Sequence, residues 1–373
     1  RHTLAASLNA GVKKEIFFAR ARRFSSALEA NLFPDHVPVD VYHTLIDTIH
    51  QHLPLLHRYM DVRKKMLGVD ELHMYDLYVP LVGDVEMKIP YEQALEMVKE
   101  GLAPLGEDYR RVLEEAFGGG WIDVFENRGK RSGAYSWGAY GTHPYVLLNY
   151  QENLDNVFTI AHEMGHALHS YYSDREQPYI YAQYTIFVAE VASTLNEALL
   201  MDYLLRNTAD PKQKMYLLNH YLDQFRGTVF RQVKFAEFEK IIHEKAEAGE
   251  ALTADLLCEI YLQLNKQYYG PTMVVDEPIA MEWARIPHFY SNFYVYKYAT
   301  GFSAAQAIAR HILTEGEPAV NRYMEFLKSG GSDTPINLLK KAGVDMTKPD
   351  PVREAMQTFG RLLDQLEELA ETV

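Results

Sequence analysis

The sequence predicts a mainly helical protein with one small β-sheet set directly before a histidine-rich helix. Apolar residues recur at three- and four-residue spacing over Val41–Leu67 and Tyr91–Phe117, and the pattern after Asn153 is helical almost throughout. The exception is the stretch 118–152. There Gly118-Gly119-Gly120 closes a helix, and Gly133, Gly138 and Gly141 punctuate a run rich in Tyr, Trp and Val.

Taken in order, residues 1 to about 70 read as successive helices, with Pro34 and Pro38 marking the turn between them. From Asp76 to Pro90 the pattern shortens to Leu77-Tyr-Val-Pro-Leu-Val82, a candidate strand or extended connection. Arg131–Tyr140 and Tyr145–Tyr150 read as strands joined at Gly141-Thr-His-Pro144, the only convincing sheet in the chain. Loops are expected near Asn207–Pro211, Tyr269–Pro278 and Lys328–Pro335. The run from Pro351 to Val373 is a charged amphipathic helix, and no repeat or flexible linker interrupts the order.

Of the 373 residues, 51 are acidic and 37 basic, a net charge of -14 that repels phosphate backbones and argues against nucleic-acid binding. A single cysteine, Cys258, excludes an intrachain disulfide framework and suits a reducing compartment, so the expected location is the cytoplasm. No run of about 18 apolar residues is present, so no membrane partner is expected. The start, Arg1-His-Thr-Leu-Ala-Ala, lacks both the apolar core of a signal peptide and an initiator Met, which leaves open that the chain is part of a longer one. Composition says nothing about oligomeric state.

The decisive segment is Asp155-Asn-Val-Phe-Thr-Ile-Ala-His162-Glu163-Met-Gly-His166-Ala-Leu-His169. On a helix, residues four apart project one turn apart on the same face, so His162 and His166 can share one tetrahedral Zn²⁺. Glu163 is swung round by about 100° and can reach a water in the open coordination position, where a carboxylate serves as proton acceptor. Asn153 or Asp155 can cap this helix, and Val157, Ile160, Ala161 and Met164 supply its apolar face. The bland reading is a buried helix with two satisfied histidines.

A hydrolytic zinc takes a third protein ligand and leaves the fourth position to water. Glu190 is preferred: it interrupts the apolar run Ile186-Phe-Val-Ala-Glu190-Val-Ala, 24 residues beyond His166, where an unpaired carboxylate is costly to bury. Glu197 competes, but its more polar surroundings suit a solvated group or one behind the ligands. A third histidine from the same helix, His169, would strain tetrahedral geometry.

The segment His162-Glu-Met-Gly-His166-Ala-Leu-His, followed by Phe187-Val-Ala-Glu190-Val-Ala-Ser-Thr, resembles the thimet-oligopeptidase-like zinc metallopeptidases, and within them the oligoendopeptidase F branch. The resemblance extends to Tyr75-Asp-Leu-Tyr78, Gly141-Thr-His-Pro-Tyr-Val-Leu-Leu-Asn149, Gly227-Thr-Val-Phe-Arg231-Gln and Phe289 through Ala304, nearly the whole chain. It implies a two-lobed helical zinc peptidase with a deep substrate channel and a small sheet beside the active-site helix. The expected division of this one catalytic domain is a helical lobe over about 1–117, the sheet over about 118–152, and the metal-binding helices with a helical lobe over about 153–373. The family typically carries a further N-terminal helical region, which this chain is expected to lack.

The resemblance also implies the activity: a Zn²⁺-dependent endopeptidase acting on short unstructured oligopeptides. His162, His166 and Glu190 would hold the metal and Glu163 would activate water. His288, Tyr294 and Tyr298 would hydrogen-bond the oxyanion. Read from the residues alone, Tyr290, Tyr294 and Tyr298 recur every four positions, as a packed aromatic face also would. Two rival readings remain: a zinc carboxypeptidase of related fold, for which no unambiguous carboxylate-binding site is visible, and a non-catalytic peptide-binding relic, which would not need Glu163.

Overall fold

The structure, a computed structural model, describes residues 1–83 and 87–372, so the stretch 76–90 read as a strand or extended connection lies partly outside the described residues. The chain divides into two compact units. One comprises Arg1–Gly83, Asn219–Thr300 and Thr347–Val373; the other comprises Asp84–Leu218 and Gly301–Met346. Both are mainly helical, as the periodicity predicts.

The first unit is organised on the long helix Val39–Leu67, whose apolar stripe buries Val41, Leu45, Ile49, Leu53, Leu56 and Met60. The predicted amphipathic C-terminal segment forms the helix Asp350–Ala370, and its apolar face lies on this stripe, with Phe359 edge-on to Tyr59 at 6.0 Å between centroids. Fully burying one such phenyl ring contributes roughly 1.5–3 kcal/mol. The helices Arg231–Glu247 and Ala254–Tyr269 add to the unit's core.

Two local details of this unit differ from the sequence pattern. Of the stretch read as a strand or extended connection, Asp76–Tyr78 belongs to a 3₁₀ turn over Met74–Tyr78. The fully buried Arg63 guanidinium donates to the carbonyls of Asp76 and Val79 at 2.8 and 2.7 Å, taking acceptors that a neighbouring strand would need. In addition, β1 (Leu72–His73) pairs in parallel with β5 (Met273–Val274). Two residues per strand are too few to show an alternating pattern, so this pair was invisible in the sequence.

In the second unit the sheet has the order β2-β4-β3, with β2 (Ile122–Asp123) parallel and β3 (Tyr135–Trp137) antiparallel to the central β4 (Tyr145–Leu147). The paired stretches are shorter than the predicted strands: Gly133 turns the backbone at φ of +92° before the first, and Gly141, at +86°, lies in the turn between them. Beyond the ladder, the Asn149 side-chain amide donates to the carbonyls of Arg131 and Gly133, both at 2.8 Å. Trp121 joins the sheet to the helix Leu154–Glu176, stacking on His143 and meeting Tyr171 at 5.5 Å.

That helix packs along Ile186–Asn207, which is apolar on nearly every face and buried accordingly. The two approach closely at Gly165, where a Cβ would stand 2.5 Å from the Ser193 Cα and 2.7 Å from the Ala192 carbonyl oxygen. Among the described residues no helix is long and apolar enough to cross a membrane.

Candidate active site

The histidine-rich segment folds as the helix Leu154–Glu176, and Asn153 caps it by accepting the Asn156 N–H at 2.9 Å. One face is core: Val157, Ile160, Ala161, Met164, Ala167 and Leu168 are fully buried. The other carries His162 and His166. Their Nε2 atoms stand 3.2 Å apart with the rings nearly perpendicular, so both nitrogens turn to one point.

Glu190 arrives from the helix Ile186–Asn207. Its Oε2 lies 3.5 Å from the Nε2 of each histidine, and the Ser193 hydroxyl donates to the same oxygen at 3.1 Å. A regular tetrahedron with metal–ligand bonds of about 2.0–2.1 Å has ligand–ligand edges of about 3.3–3.4 Å. The observed edges of 3.2, 3.5 and 3.5 Å match that figure. Two imidazoles and one carboxylate are also the donor set that zinc favours, with a fourth direction left open.

Glu197, two turns beyond Glu190, lies on the far side of the same imidazole. Its Oε1 accepts a hydrogen bond from His162 Nδ1–H, which fixes the tautomer and leaves Nε2 as the donor nitrogen. The signal was present in the sequence: carboxylates seven apart on one helix face both point at the same neighbour. His169 is not in this cluster. It is buried, stacks on Tyr184 at 3.7 Å, and burial pushes its imidazole down to about 3.

The electrostatics suit a cation. Burial opposes charging of His162, but the hydrogen-bonded Glu197 carboxylate, helped by Glu190 and Glu163, lifts it to about 9. Burial likewise opposes the charge on Glu190, yet hydrogen bonding and the positive potential of His166, then of His162, bring it down to about 2. Glu163, also buried, is raised by desolvation against the pull of the two histidines. Three carboxyl groups around two imidazoles form a negative environment that a dication would neutralise.

The first unit holds the other predicted residues. His288 and Tyr294 are stacked at 6.0 Å, and Tyr298 stands edge-on to both, at 6.1 Å from His288 and 5.4 Å from Tyr294. They do not form one helical stripe with Tyr290. Pro287–Tyr290 is a short 3₁₀ helix, Phe293 takes a left-handed φ of +55°, and the long helix begins at Tyr296. In the same unit Arg226 donates to Asp223 and Arg231 to Glu282.

The sequence profile of peptidase family M3 matches residues 1–358. Oligopeptidase PepF of Bacillus subtilis (strain 168) is 57% identical over 99% of this chain and 55% of its own length. Group B oligopeptidase PepB of Streptococcus agalactiae serotype III (strain NEM316) is 48% identical over 99% of this chain and 61% of its own length. The crystal structure of oligoendopeptidase-F from Enterococcus faecium superposes with a TM-score of 0.81 at 43% identity, covering 100% of this chain and 61% of that one. The chain thus spans between half and two thirds of the length of these relatives. It belongs to peptidase family M3, in the oligoendopeptidase F group.

Proposed function

We propose that the protein carrying this chain is a zinc-dependent endopeptidase that hydrolyses internal peptide bonds of short unstructured oligopeptides. The observation that carries the reading is the triangle of His162 Nε2, His166 Nε2 and Glu190 Oε2, whose edges fit a tetrahedral ion. The names of the relatives, oligopeptidase and oligoendopeptidase, support the substrate class. A zinc ion held there would polarise a substrate carbonyl and acidify a water.

The remaining chemistry falls to the chain. Glu197 orients His162 through Nδ1–H, and Glu163, the next residue on the helix, takes the proton of the attacking water and passes it to the departing amine. The raised Glu163 carboxyl is suited to both halves of that transfer. His288, Tyr294 and Tyr298 are assigned to the oxyanion by their imidazole and phenol donors, which are mutually packed and so presented as one group.

The test uses an oligopeptide blocked at both ends. Internal cleavage that disappears with chelator and returns with Zn²⁺ supports the reading. Metal-replete protein that releases only C-terminal residues from unblocked peptides, or that binds peptides without cutting them, overturns it.

A further inference from the structure

The helix Arg231–Glu247 carries a buried carboxyl group, Glu239, that no step of the proposed chemistry uses. It is 1% exposed and forms no ion pair among the described residues. Its one hydrogen bond among the described residues is to backbone: Glu239 Oε1 accepts the Phe293 N–H at 2.9 Å, and Oε2 meets no donor. Phe293 is one of three non-glycine residues with positive φ among those described, at +55°. A phenylalanine in this region is disfavoured and persists only where its surroundings hold it.

The same helix face holds the segment at a second point. Phe289 packs on Phe235 at 5.5 Å and on Phe238 at 5.0 Å. Phe235, Phe238 and Glu239 lie at i, i+3 and i+4, one patch of helix surface. The held residues flank the donor cluster: Phe289 follows His288, and Phe293 immediately precedes Tyr294. The Phe293 ring is clamped in turn by His243 at 4.5 Å and Tyr42 at 5.8 Å.

We propose that Glu239 is a positioning residue for the oxyanion donors, acting by accepting the Phe293 N–H so that the left-handed turn aims Tyr294 and Tyr298. A buried N–H must find an acceptor, and the turn at Phe293 directs this one into the core. If the acceptor is removed, the peptide relaxes toward the extended region, and that rotation redirects the residue that follows. Burial pushes the Glu239 carboxyl up to about 8, so near neutral pH it offers a carbonyl oxygen much as a glutamine would. The conservative variant should therefore substitute for it.

The inference rests on the role given to the tyrosines above, so the test separates the anchor from its catalytic consequence. Amide hydrogen exchange of the metal-free protein, resolved at Phe293, reads the anchor without activity. Protection is expected in wild type and Glu239→Gln, and its loss in Glu239→Leu. A Phe293 amide that exchanges in wild type at the rate of an unstructured chain overturns the anchor with no variant needed, and so does unchanged protection in Glu239→Leu.

Kinetics of the zinc-loaded protein read the consequence. Since one oxyanion donor is worth roughly 10²–10³ in kcat, misaiming is expected to lower kcat about tenfold or more in Glu239→Leu, with KM within about threefold and Glu239→Gln near wild type. In a Tyr294→Phe/Tyr298→Phe background, Glu239→Leu should cost little further. If Tyr298→Phe lowers kcat but Glu239→Leu does not, the positioning role is overturned. If Tyr294→Phe and Tyr298→Phe both leave kcat unchanged, the oxyanion assignment fails, and the exchange result then stands or falls as a statement about the turn alone.

Discussion

Gly165→Ala tests how tightly the proposed metal geometry depends on helix packing. The added methyl would stand 2.5 Å from the Ser193 Cα, 2.7 Å from the Ala192 oxygen and 2.8 Å from the Ala192 carbonyl carbon. All three are backbone atoms and cannot swing aside. Carbon contacts settle near 3.5–4.0 Å, so the two helices must part by about 1 Å. Overpacking of this kind costs roughly 1–3 kcal/mol of stability. The same displacement acts on the ligand triangle, because the histidines ride on one helix and Glu190 on the other. Metal bonds tolerate about ±0.2 Å, so a shift of about 1 Å should weaken zinc binding at least tenfold, about 1.4 kcal/mol. Competition with a chromophoric chelator measures that affinity, and thermal unfolding with and without Zn²⁺ measures stability. A folded Gly165→Ala protein with wild-type zinc affinity would refute the reasoning, since the helices would then have parted without disturbing the triangle.

Three further outcomes are expected. Glu163→Gln keeps the shape of the side chain but removes the proton acceptor, so zinc content should hold while kcat falls by roughly 10²–10⁴; turnover near wild type would exclude Glu163 as the base. Glu190→Ala should release zinc on dialysis, whereas Glu197→Ala, which loses only the partner of His162 Nδ1, should weaken binding by roughly 10–100-fold; metal analysis showing the reverse order would exchange their roles. Glu239, raised by burial from 4.5 to about 8, gives a pH dependence of stability with a definite sign. The folded state holds the proton more tightly, so this contribution is complete below about pH 4.5 and is lost as pH rises through about 8. Denaturation of wild type against Glu239→Gln over that window should show wild type losing ground, and parallel curves would refute it.

Much of the helical order was legible because three- and four-residue spacing survives in long segments such as Val39–Leu67 and Asp350–Ala370. The metal candidates were legible for the same reason: His162 and His166 share a face by arithmetic, and Glu190 stands out against apolar neighbours. Glu197 was harder to place. Its neighbours Ser193 and Asn196 suggest solvent, yet both are fully buried because each side chain has a hydrogen-bond partner. The tyrosine segment was misleading as a periodic pattern. Its four-residue recurrence suggests one helix face, but the turn at Phe293 breaks it, held by an acceptor 54 residues earlier in the chain. No local propensity anticipates a phenylalanine at positive φ. The paired strands were too short for alternation to declare their ends.

Asn196 carries a consequence for the proposed metal site. Its side-chain amide donates to the Ala161 carbonyl, one residue before His162, at 3.0 Å, and its oxygen accepts the Tyr109 hydroxyl at 3.0 Å, all in the core. Sliding the Glu190 helix by one residue would turn it by about 100° and strand this amide, at a cost of roughly 1–3 kcal/mol per unsatisfied group. The register of the two helices is therefore specified by a buried polar contact that owes nothing to the ion. The three proposed donors would then be preorganised: the ordering entropy of the site is settled when the protein folds, and little rearrangement would be left for the binding of an ion.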